Sequence, residues 1–278
     1  MKKYIKWFKV LALLSVVLFL AACGSTTEAA NVNSTGIWDR YVIFNLSQFI
    51  VWLSDLFGGN YPLGITLFTI IIRTLLLPVF QMQIKSQRQM QEIQPELDAI
   101  KEKYPNKDRL SMEAMQEEQQ QLMQDRGVNQ FAGCLPMLIQ LPVMMALYQA
   151  ILRTEELRQG NFLWMNLGAP DPYFILPIIA ATLTFATTYF TMKSNPVQNG
   201  MTKSMMFVSP LMILMIGLTL PSAIALYWVV SNAFTLIQTF VFNNPYKIIA
   251  EREAKAEAER ERQRELRRQL RRATGKKK

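Results

Sequence analysis

An arginine lies near the middle of a segment that is otherwise apolar enough to cross a lipid bilayer. Residues 61–80 read YPLGITLFTIIIRTLLLPVF, and Arg73 is the only charged residue among them. A helix of this length just crosses a hydrocarbon core about 30 Å thick. A central arginine costs roughly 2.5–3.5 kcal/mol on insertion scales, so such a residue usually faces a wet cavity or a partner. Snorkelling is the alternative, but it operates near helix ends.

The composition excludes several kinds of enzyme site. The chain has 278 residues with no histidine and two cysteines, Cys23 and Cys134. Histidine-based acid–base catalysis, histidine metal ligands and cysteine-rich metal clusters are therefore excluded. The sequence also contains no glycine-rich nucleotide-binding motif and no nucleophile-elbow motif. We therefore expect no catalytic residues, no metal site and no enzymatic activity.

The N-terminus has the pattern of a bacterial export signal. Four lysines near the start precede an 11-residue apolar stretch that leads into Leu20-Ala21-Ala22-Cys23. This tetrapeptide resembles the lipobox of bacterial lipoproteins, which implies removal of residues 1–22 and attachment of diacylglyceryl and N-acyl groups to Cys23. A first transmembrane helix is the alternative, but 11 apolar residues are too few to span alone. We expect residues 23–60 to lie outside the cytoplasm, and no cofactor other than these covalent lipids.

Beyond the signal, long apolar segments alternate with polar ones. A polar block, 81–128, follows the first apolar segment, and a charged tail, 243–278, ends the chain. The sequence shows no internal repeat and no alternation long enough for a β-barrel. We therefore predict an all-α polytopic membrane protein with a core at 61–242. Its five predicted transmembrane helices are 61–80, 131–152, 172–192, 204–220 and 222–242.

Residues 37–57 are apolar but contain several charged side chains, which leaves their placement to be decided by charge. A sixth span here would move the tail, with its 13 Lys and Arg residues, outside the cytoplasm. With five spans, the polar block and the tail both face the cytoplasm, as the positive-inside rule favours. We therefore predict an amphipathic helix along the outer interface at 37–57. Its predicted interfacial anchors are Trp38, Tyr41 and Trp52.

The polar block 81–128 has the pattern of a cytoplasmic helical hairpin. Pro95 interrupts good helix formers and should kink or restart the first helix. Asn106 or Asp108 can cap the second helix, which stops at Gly127. The methionines of the block either form a soft apolar side for irregular partners or pack the two helices together, and both interpretations remain open. These methionines are Met82, Met90, Met112, Met115 and Met123.

Four of the predicted spans carry polar side chains at helical spacing, which places them along one face of each helix. Several such faces could surround a hydrated groove. Threonine hydroxyls can instead bond a carbonyl of their own helix, whereas Arg73, Gln140 and Gln238 reach beyond it. The fourth span lacks such a face, and we expect it to be packed or lipid-facing. The candidate groove residues are Thr66, Thr69, Arg73, Gln140, Thr184, Thr187, Thr188, Thr191, Tyr227, Trp228, Ser231, Asn232, Thr235 and Gln238.

Four motifs, in this order, resemble the YidC/Oxa/Alb family of membrane protein insertases. The lipobox and the five-span layout resemble the Gram-positive branch, and the large periplasmic domain of Gram-negative relatives is missing. The resemblance covers roughly residues 37–242. The motifs are FTIIIRTLLLP (68–78), IQPELDAIKEKY (93–104), GCLPMLIQLPVMMALYQ (133–149) and ALYWVVSNAFTLIQ (225–238).

The resemblance implies an activity, a site and partners. Family members insert and help fold nascent integral membrane proteins, alone or with the Sec translocon, through a hydrophilic groove open to the cytoplasm and the lipid. The groove arginine of the family falls on Arg73, its threonine one turn earlier on Thr69, and its substrate-contacting aromatic on Trp228, next to Tyr227. The implied location is the bacterial cell membrane, with a lipid-anchored N-terminus outside and the C-terminus in the cytoplasm. A small channel or transporter, or a scaffolding lipoprotein, are the alternatives.

The tail 243–278 mixes acids and bases and then becomes purely basic. Three Glu/Arg pairs spaced i, i+3 between residues 257 and 268 favour a helix, and seven bases with no acid follow from Arg267 onward. Such an end can bind anionic lipid, each base adding about 1 kcal/mol near the surface. It can also bind rRNA phosphates of the ribosome, and that binding falls steeply with salt. Both partners remain open at this point.

Overall fold

The computed structural model describes residues 34, 36–106, 108–128, 135–194, 200–273 and 275, and these fold almost entirely into helices. Cys23, and with it the predicted lipobox, lies outside the described residues. The helices are α1 (Phe44–Asp55), α2 (Tyr61–Leu75), α3 (Leu77–Glu92), α4 (Gln94–Lys103), α5 (Arg109–Asp125), α6 (Leu135–Arg153), α7 (Glu155–Gln159), α8 (Ile175–Lys193), α9 (Gly200–Gly217), α10 (Ser222–Phe242) and α11 (Pro245–Ala273).

Length and composition identify the helices that could cross a membrane. Within the described residues, α8 and the long helix that begins at Ser222 both qualify. The pair α2 and α3 qualifies when it is taken as one span, although the two helices are bent by 60°. The apolar part of α9, Lys203–Gly217, is shorter. The described chain is therefore a mostly helical protein with two or three candidate membrane spans by this measure.

The first predicted span, 61–80, differs from a single helix. The helix α2 ends at Leu75, and α3 begins at Leu77, beyond the bend. Pro78 explains the break, because it has no N–H and its ring would clash with the carbonyl of Thr74 in a continuous helix. The first helix of the polar block therefore begins inside the predicted span, ahead of residue 81.

The amphipathic helix predicted at 37–57 is present as a π-helical turn, Trp38–Ile43, followed by α1. Its Ile43, Ile50 and Leu53 are buried, whereas Tyr41 and Trp52 are 63% and 55% exposed, so one face packs and the other does not. Trp38 differs from the predicted interfacial anchor, because it is only 5% exposed. Its indole N–H donates to Gln149 Oε1 at 3.1 Å, and this bond satisfies inside the protein the polar group that water would otherwise bind.

The polar block folds as the predicted hairpin. Helix α4 restarts with Pro95 in its first turn, and Asp108 accepts a hydrogen bond from the Ser111 backbone N–H at 3.1 Å, which caps α5. The end of α5 is followed by Gly127 at φ +64°, a conformation that favours glycine. Ile93, Leu97 and Met123 pack between the helices with Met90, while Met82 and Met112 are 62% and 41% exposed. Some of the methionines therefore pack the two helices together, and others lie exposed on the surface of the hairpin.

A short β-hairpin and an ordered loop lie between α7 and α8. The strands β1 (Asn161–Phe162) and β2 (Met165–Asn166) pair antiparallel. The buried carboxylate of Asp171 accepts from the Trp164 indole at 3.0 Å and from the Leu176 backbone N–H at 2.8 Å, which fixes the start of α8. The Ser222 backbone N–H donates to the Ala169 carbonyl at 2.7 Å, so the same loop also holds the start of α10.

The largest hydrophobic core lies next to this loop, and its residues show the relative directions of α6, α8 and α10. Ala180 near the start of α8 and Ala223 near the start of α10 belong to the core, but Leu147 and Ile151 belong to it from the end of α6. Helix α6 therefore runs opposite to α8 and α10. We call this the closed end of the bundle. Its core residues are Ile50, Leu53, Ile65, Phe68, Leu147, Ile151, Leu157, Leu167, Ala180, Ala223, Ile224, Tyr227 and Trp228.

Candidate functional site

A cavity of about 1080 Å³ occupies the opposite end of the bundle, between its helices and the hairpin. We call it the groove. Its walls come from the second halves of α2, α8 and α10, the first half of α6, the middle of α9, and the facing sides of α3 and α4. Predicted residues in the lining are Arg73, Gln140, Thr184, Thr187, Thr188, Thr191, Asn232, Thr235 and Gln238.

Arg73 is half-buried in the groove and is surrounded by neutral oxygen atoms. Its Nε donates to Ser231 Oγ at 3.3 Å, Nη1 to Thr235 Oγ1 at 3.5 Å, and Nη2 to Gln140 Oε1 at 3.5 Å. Charge-assisted hydrogen bonds to carboxylates are typically about 2.7–2.9 Å long. The guanidinium also lies 5.1 Å from the centre of the Phe80 ring. Arg73 is thus held in place by long, weak contacts, and none of its contacts among the described residues is with a carboxylate.

The groove is electropositive in its described lining. Arg73 and Lys101 are the only charged residues among the described lining side chains. The described lining contains no aspartate or glutamate. Lys101 already pairs with Asp98 at 2.8 Å on the hairpin. The hydrogen bond from that lysine lowers the pKa of the Asp98 carboxyl, which favours its ionised form. A carboxylate entering the groove would therefore find Arg73 as its available cation.

Gln140 connects the groove to the core. Its amide nitrogen donates to the Tyr227 hydroxyl at 2.9 Å, while its oxygen faces Arg73. Tyr227 is 2% exposed and Trp228 is 8% exposed, and both belong to the hydrophobic core. The structure therefore places these two aromatic residues in the hydrophobic core, outside the groove lining. Ser231, 2% exposed, lies outside that lining too, within reach of Arg73.

Three threonines of α8 donate hydrogen bonds to carbonyls of their own helix, which is one of the two arrangements that the sequence allows. The hydroxyls of Thr184, Thr187 and Thr191 donate to the carbonyls four residues earlier in α8, at 2.7–2.9 Å. Thr69 does the same to Ile65 at 2.7 Å and is fully buried outside the groove lining. The hydroxyl oxygens of the α8 threonines still face the cavity and can accept hydrogen bonds.

Gln238 is the polar residue of the groove with unused bonding capacity. Its side chain is 4% exposed and lines the cavity. Its amide nitrogen has no hydrogen-bond partner within the described part of the chain. A buried amide donor of this kind normally has a partner, so water or a bound carbonyl group would satisfy it.

One wall of the groove was not predicted from the sequence. Gln83, Gln87 and Gln91 on α3, with Gln94 on α4, line the cavity beyond Arg73. Their i, i+4, i+8 spacing along α3 is visible in the sequence and could have identified them. The sequence predicts this block as a hairpin of its own, whereas in the structure one side of that hairpin forms a wall of the groove.

The fourth predicted span also contributes more than expected. Met205, Ser209 and Ile213 of α9 line the groove. The other side of α9 is apolar and open, with Phe207 61% exposed and Leu211 57% exposed. Helix α9 therefore separates the groove from an apolar outer face, which matches the predicted lipid-facing character for only part of its surface.

Comparisons with known proteins agree with these features. The family model described as 60Kd inner membrane protein matches residues 52–251. The membrane protein insertase YidC of Enterococcus faecalis is 49% identical over 256 residues, 92% of each chain. The membrane protein insertase YidC 1 of Lactococcus lactis is 51% identical over 87% of this chain and 88% of that one. The membrane protein insertase MisCA of Bacillus subtilis is 42% identical over 84% of this chain and 90% of that one.

A solved structure is similar as well. The crystal structure of an active YidC insertase with its first transmembrane domain resolved matches with a TM-score of 0.60 and 32% sequence identity. The match covers 76% of this chain and 48% of that one, so this chain spans about half the length of the solved protein. The family model and the relatives together cover most of the residues that form the groove. The chain therefore belongs to the 60Kd inner membrane protein family, which includes the YidC proteins.

Proposed function

We propose that the protein is a non-enzymatic membrane protein insertase, which inserts integral membrane proteins into the cell membrane and helps them fold. The observation that carries this proposal is Arg73, whose charge meets no carboxylate among the described side chains of a groove walled by neutral polar groups. Relatives named as insertases are 42–51% identical to this chain, which supports this function over a channel or transporter.

Five membrane crossings are part of this proposal, one each for α2, α6, α8, α9 and α10. The direction of the helices supports the count. Groove-lining residues lie in the second halves of α2, α8 and α10 but in the first half of α6. The end of α9 lies against the start of α8, because a Cβ atom at Gly217 would lie 3.1 Å from Pro177 Cβ, so α9 runs opposite to α8. Successive helices that alternate in direction are what repeated crossings with short connections require.

The groove opens to the cytoplasm in this proposal, and the closed end faces outside. The hairpin and α11 both extend from the groove end, and residues 81–130 and 243–278 carry 7 and 13 Lys and Arg residues. This asymmetry agrees with the positive-inside rule. The amphipathic helix then lies at the outer interface. The same orientation places the N-terminus outside, where Cys23 would be lipidated as in Gram-positive lipoproteins after removal of residues 1–22.

The mechanism follows from the groove. A segment that must cross carries polar and acidic side chains, each of which costs a few kcal/mol in lipid. The cavity has room for tens of water molecules at about 30 Å³ each, and it shortens the apolar path such side chains must cross. Arg73 then pairs with carboxylates of the segment. The apolar span of the substrate finally leaves into lipid, where burial at about 25 cal/mol per Å² supplies the driving force without ATP.

The partners we propose are nascent integral membrane proteins, the Sec translocon, anionic lipids and the ribosome. The first turns of α11, which we call its base, are attached to the bundle. This attachment supports a role for the tail as an extended arm. Ile248 is buried, and the Arg252 guanidinium donates to the Ser194 carbonyl at the end of α8. Arg88 on α3 pairs with Glu251 at 3.2 Å. None of the described residues of α11 lines the groove.

Reconstituted insertion tests the proposal. Purified protein in liposomes should insert a single-span substrate with an acidic translocated tail, without releasing an encapsulated dye. We expect Arg73→Ala to lower this insertion at least tenfold and Arg73→Lys to retain much of it, since lysine keeps the charge and loses only the two-pronged geometry. Arg109→Ala is the matched control, because Arg109 lies on the hairpin outside the groove lining. Full activity of Arg73→Ala on the acidic tail, or dye release by the wild type, would contradict the proposal.

A further inference from the structure

The side chain next to Arg73 points to a determinant of substrate choice, an inference that rests on the function proposed above. Gln140 lies between two groups, with Nε2 2.9 Å from the Tyr227 hydroxyl and Oε1 3.5 Å from Arg73 Nη2. Arginine only donates hydrogen bonds, so the amide must turn its oxygen towards Arg73 and its nitrogen towards Tyr227. Arg73 therefore determines the orientation of the amide, and the Tyr227 hydroxyl accepts from the amide nitrogen in that orientation.

The remaining contacts of Arg73 are also uncharged. Ser231 and Thr235 offer hydroxyl oxygens at 3.3 and 3.5 Å, and Phe80 offers the face of its ring. A carboxylate at any of these positions would pair with the guanidinium through shorter, charge-assisted bonds and would occupy its donors. Position 140 is where this exchange is sterically simplest, because glutamate has the length and shape of glutamine.

We propose that Gln140 is a specificity-determining residue of the groove. Its amide positions the Arg73 guanidinium without neutralising it. The positive charge is thereby reserved for carboxylates in the translocated segment of a substrate. The neutrality of the side chain at position 140, in addition to its hydrogen bonds, would set the preference for acidic tails.

The substitution Gln140→Glu tests this inference. The variant should fold, because the Tyr227 hydroxyl can rotate to donate to the new carboxylate and no buried polar group is left unpaired. Insertion into liposomes is measured for single-span substrates whose tails differ only in the number of acidic residues. We expect the ratio of acidic-tail to neutral-tail insertion to fall about tenfold relative to wild type, the decrease expected when one charge-assisted hydrogen bond is removed.

Gln140→Met is the matched control, since methionine has similar length but brings no charge. In that variant the guanidinium stays unpaired, so the ratio of acidic-tail to neutral-tail insertion should stay close to that of wild type even if both rates fall. Equal losses for all tails in Gln140→Glu would indicate a merely structural role and overturn the inference. Unchanged insertion of acidic tails by Gln140→Glu would overturn it as well.

Arg73→Ala separates failure of this inference from failure of the proposed function. If Arg73→Ala loses acidic-tail insertion while Gln140→Glu keeps it, only the role of Gln140 is refuted. If Arg73→Ala itself keeps acidic-tail insertion, the electrostatic part of the proposed function is refuted, and the role of Gln140 is refuted with it.

Discussion

Arg153 and Asp39 form a two-pronged ion pair that joins the end of α6 to the turn before α1. Arg153 Nη1 lies 2.7 Å from Asp39 Oδ1, and Nη2 lies 3.0 Å from Oδ2. The two side chains are 8% and 16% exposed. Next to them, Trp38 donates to Gln149, also on α6. The amphipathic helix is therefore attached to the bundle by specific polar bonds as well as by its apolar face.

Removing either partner of this ion pair should destabilise the protein. Arg153→Ala leaves a poorly solvated carboxylate, and such substitutions typically cost about 3–5 kcal/mol. We expect a clear fall in the melting temperature of the detergent-solubilised protein. Glu155→Ala is the control, because its carboxylate lies 3.7 Å from Arg158 in a largely exposed pair and should contribute little. Equal shifts for the two variants would contradict the assignment of a structural role to Asp39 and Arg153.

Gly64→Ala should also lower stability, through the packing of α1 against α2. A Cβ atom at this position would lie 2.0 Å from Ser54 Oγ and 2.9 Å from the Ile50 carbonyl oxygen. Ser54 is fully buried and its hydroxyl donates to that same carbonyl, so it cannot move aside freely. We expect a decrease of about 1–3 kcal/mol in the free energy of unfolding, as for overpacked cores.

A second substitution and a control make the Gly64 measurement specific. Ser54→Ala in the Gly64→Ala background removes the nearest clash and should recover part of the stability, but the backbone oxygen of Ile50 remains. Gly200→Ala should be nearly neutral, since no atom of the described residues lies within 4 Å of its Cβ position. No recovery in the double variant would indicate that the backbone contact dominates.

The glutamines of α3 should matter for polar substrates. Replacing Gln83, Gln87 and Gln91 by alanine removes amides that line the groove beyond Arg73. We expect insertion of substrates with long hydrophilic tails to fall several-fold in liposomes, because each amide can both donate to and accept from a passing backbone. The control replaces Gln116 and Gln120, which are exposed on α5. An equal effect of both sets would indicate a loss of helix stability in the hairpin.

Lipidation of Cys23 can be tested without reference to the groove. Cys23→Ala should block acylation and cleavage and leave a slower-migrating precursor on a denaturing gel. The protein should remain in the membrane fraction, since its helices hold it there independently of the acyl chains. Metabolic labelling with a fatty acid provides the direct measurement. Absence of label on the wild-type protein, with unchanged mobility of the variant, would refute the lipoprotein prediction.

The tail should bind ribosomes through its basic end. Glutamine at Arg267, Arg268, Arg271 and Arg272 should weaken co-sedimentation with ribosomes in neutral detergent. The slope of log K against log salt should fall by roughly 0.7 for each phosphate that the variant no longer neutralises. These positions lie beyond the docked base of α11, so the substitutions leave the packing of Ile248 and the hydrogen bond of Arg252 intact. An unchanged slope would show that the basic end is not a ribosome arm.

Features determined by nearby residues could be predicted from the sequence. The restart of a helix at Pro95, the cap at Asp108 and the stop at Gly127 each depend on the residue itself and a few neighbours. The last predicted span, 222–242, matches α10 because Pro221 and the polar Asn243 bound a mostly apolar segment. The groove position of Arg73 was predicted from the cost of leaving its charge in lipid.

Features that depend on distant residues could not be predicted in this way. Trp38 looked like an interfacial anchor because its partner, Gln149, is 111 positions away in the chain. Asp39 pairs with Arg153 across 114 positions, and neither residue belongs to a recognisable motif. The burial of Trp228 likewise depends on how α10 rotates against its neighbours, which periodicity alone does not determine.

The self-bonded threonines of α8 have a consequence for how long a substrate stays in the groove. Since Thr184, Thr187 and Thr191 already donate their protons within the helix, their oxygens can accept hydrogen bonds but offer no donor of their own. A passing chain can exchange water for these oxygens at little net energy, and only weak hydrogen bonds must break when it departs. These threonine oxygens therefore hold a passing chain only weakly. In the function proposed above, residence time would then depend mainly on the pairing of Arg73 with acidic side chains, so the same residue would set both the selection of charge and the duration of transit.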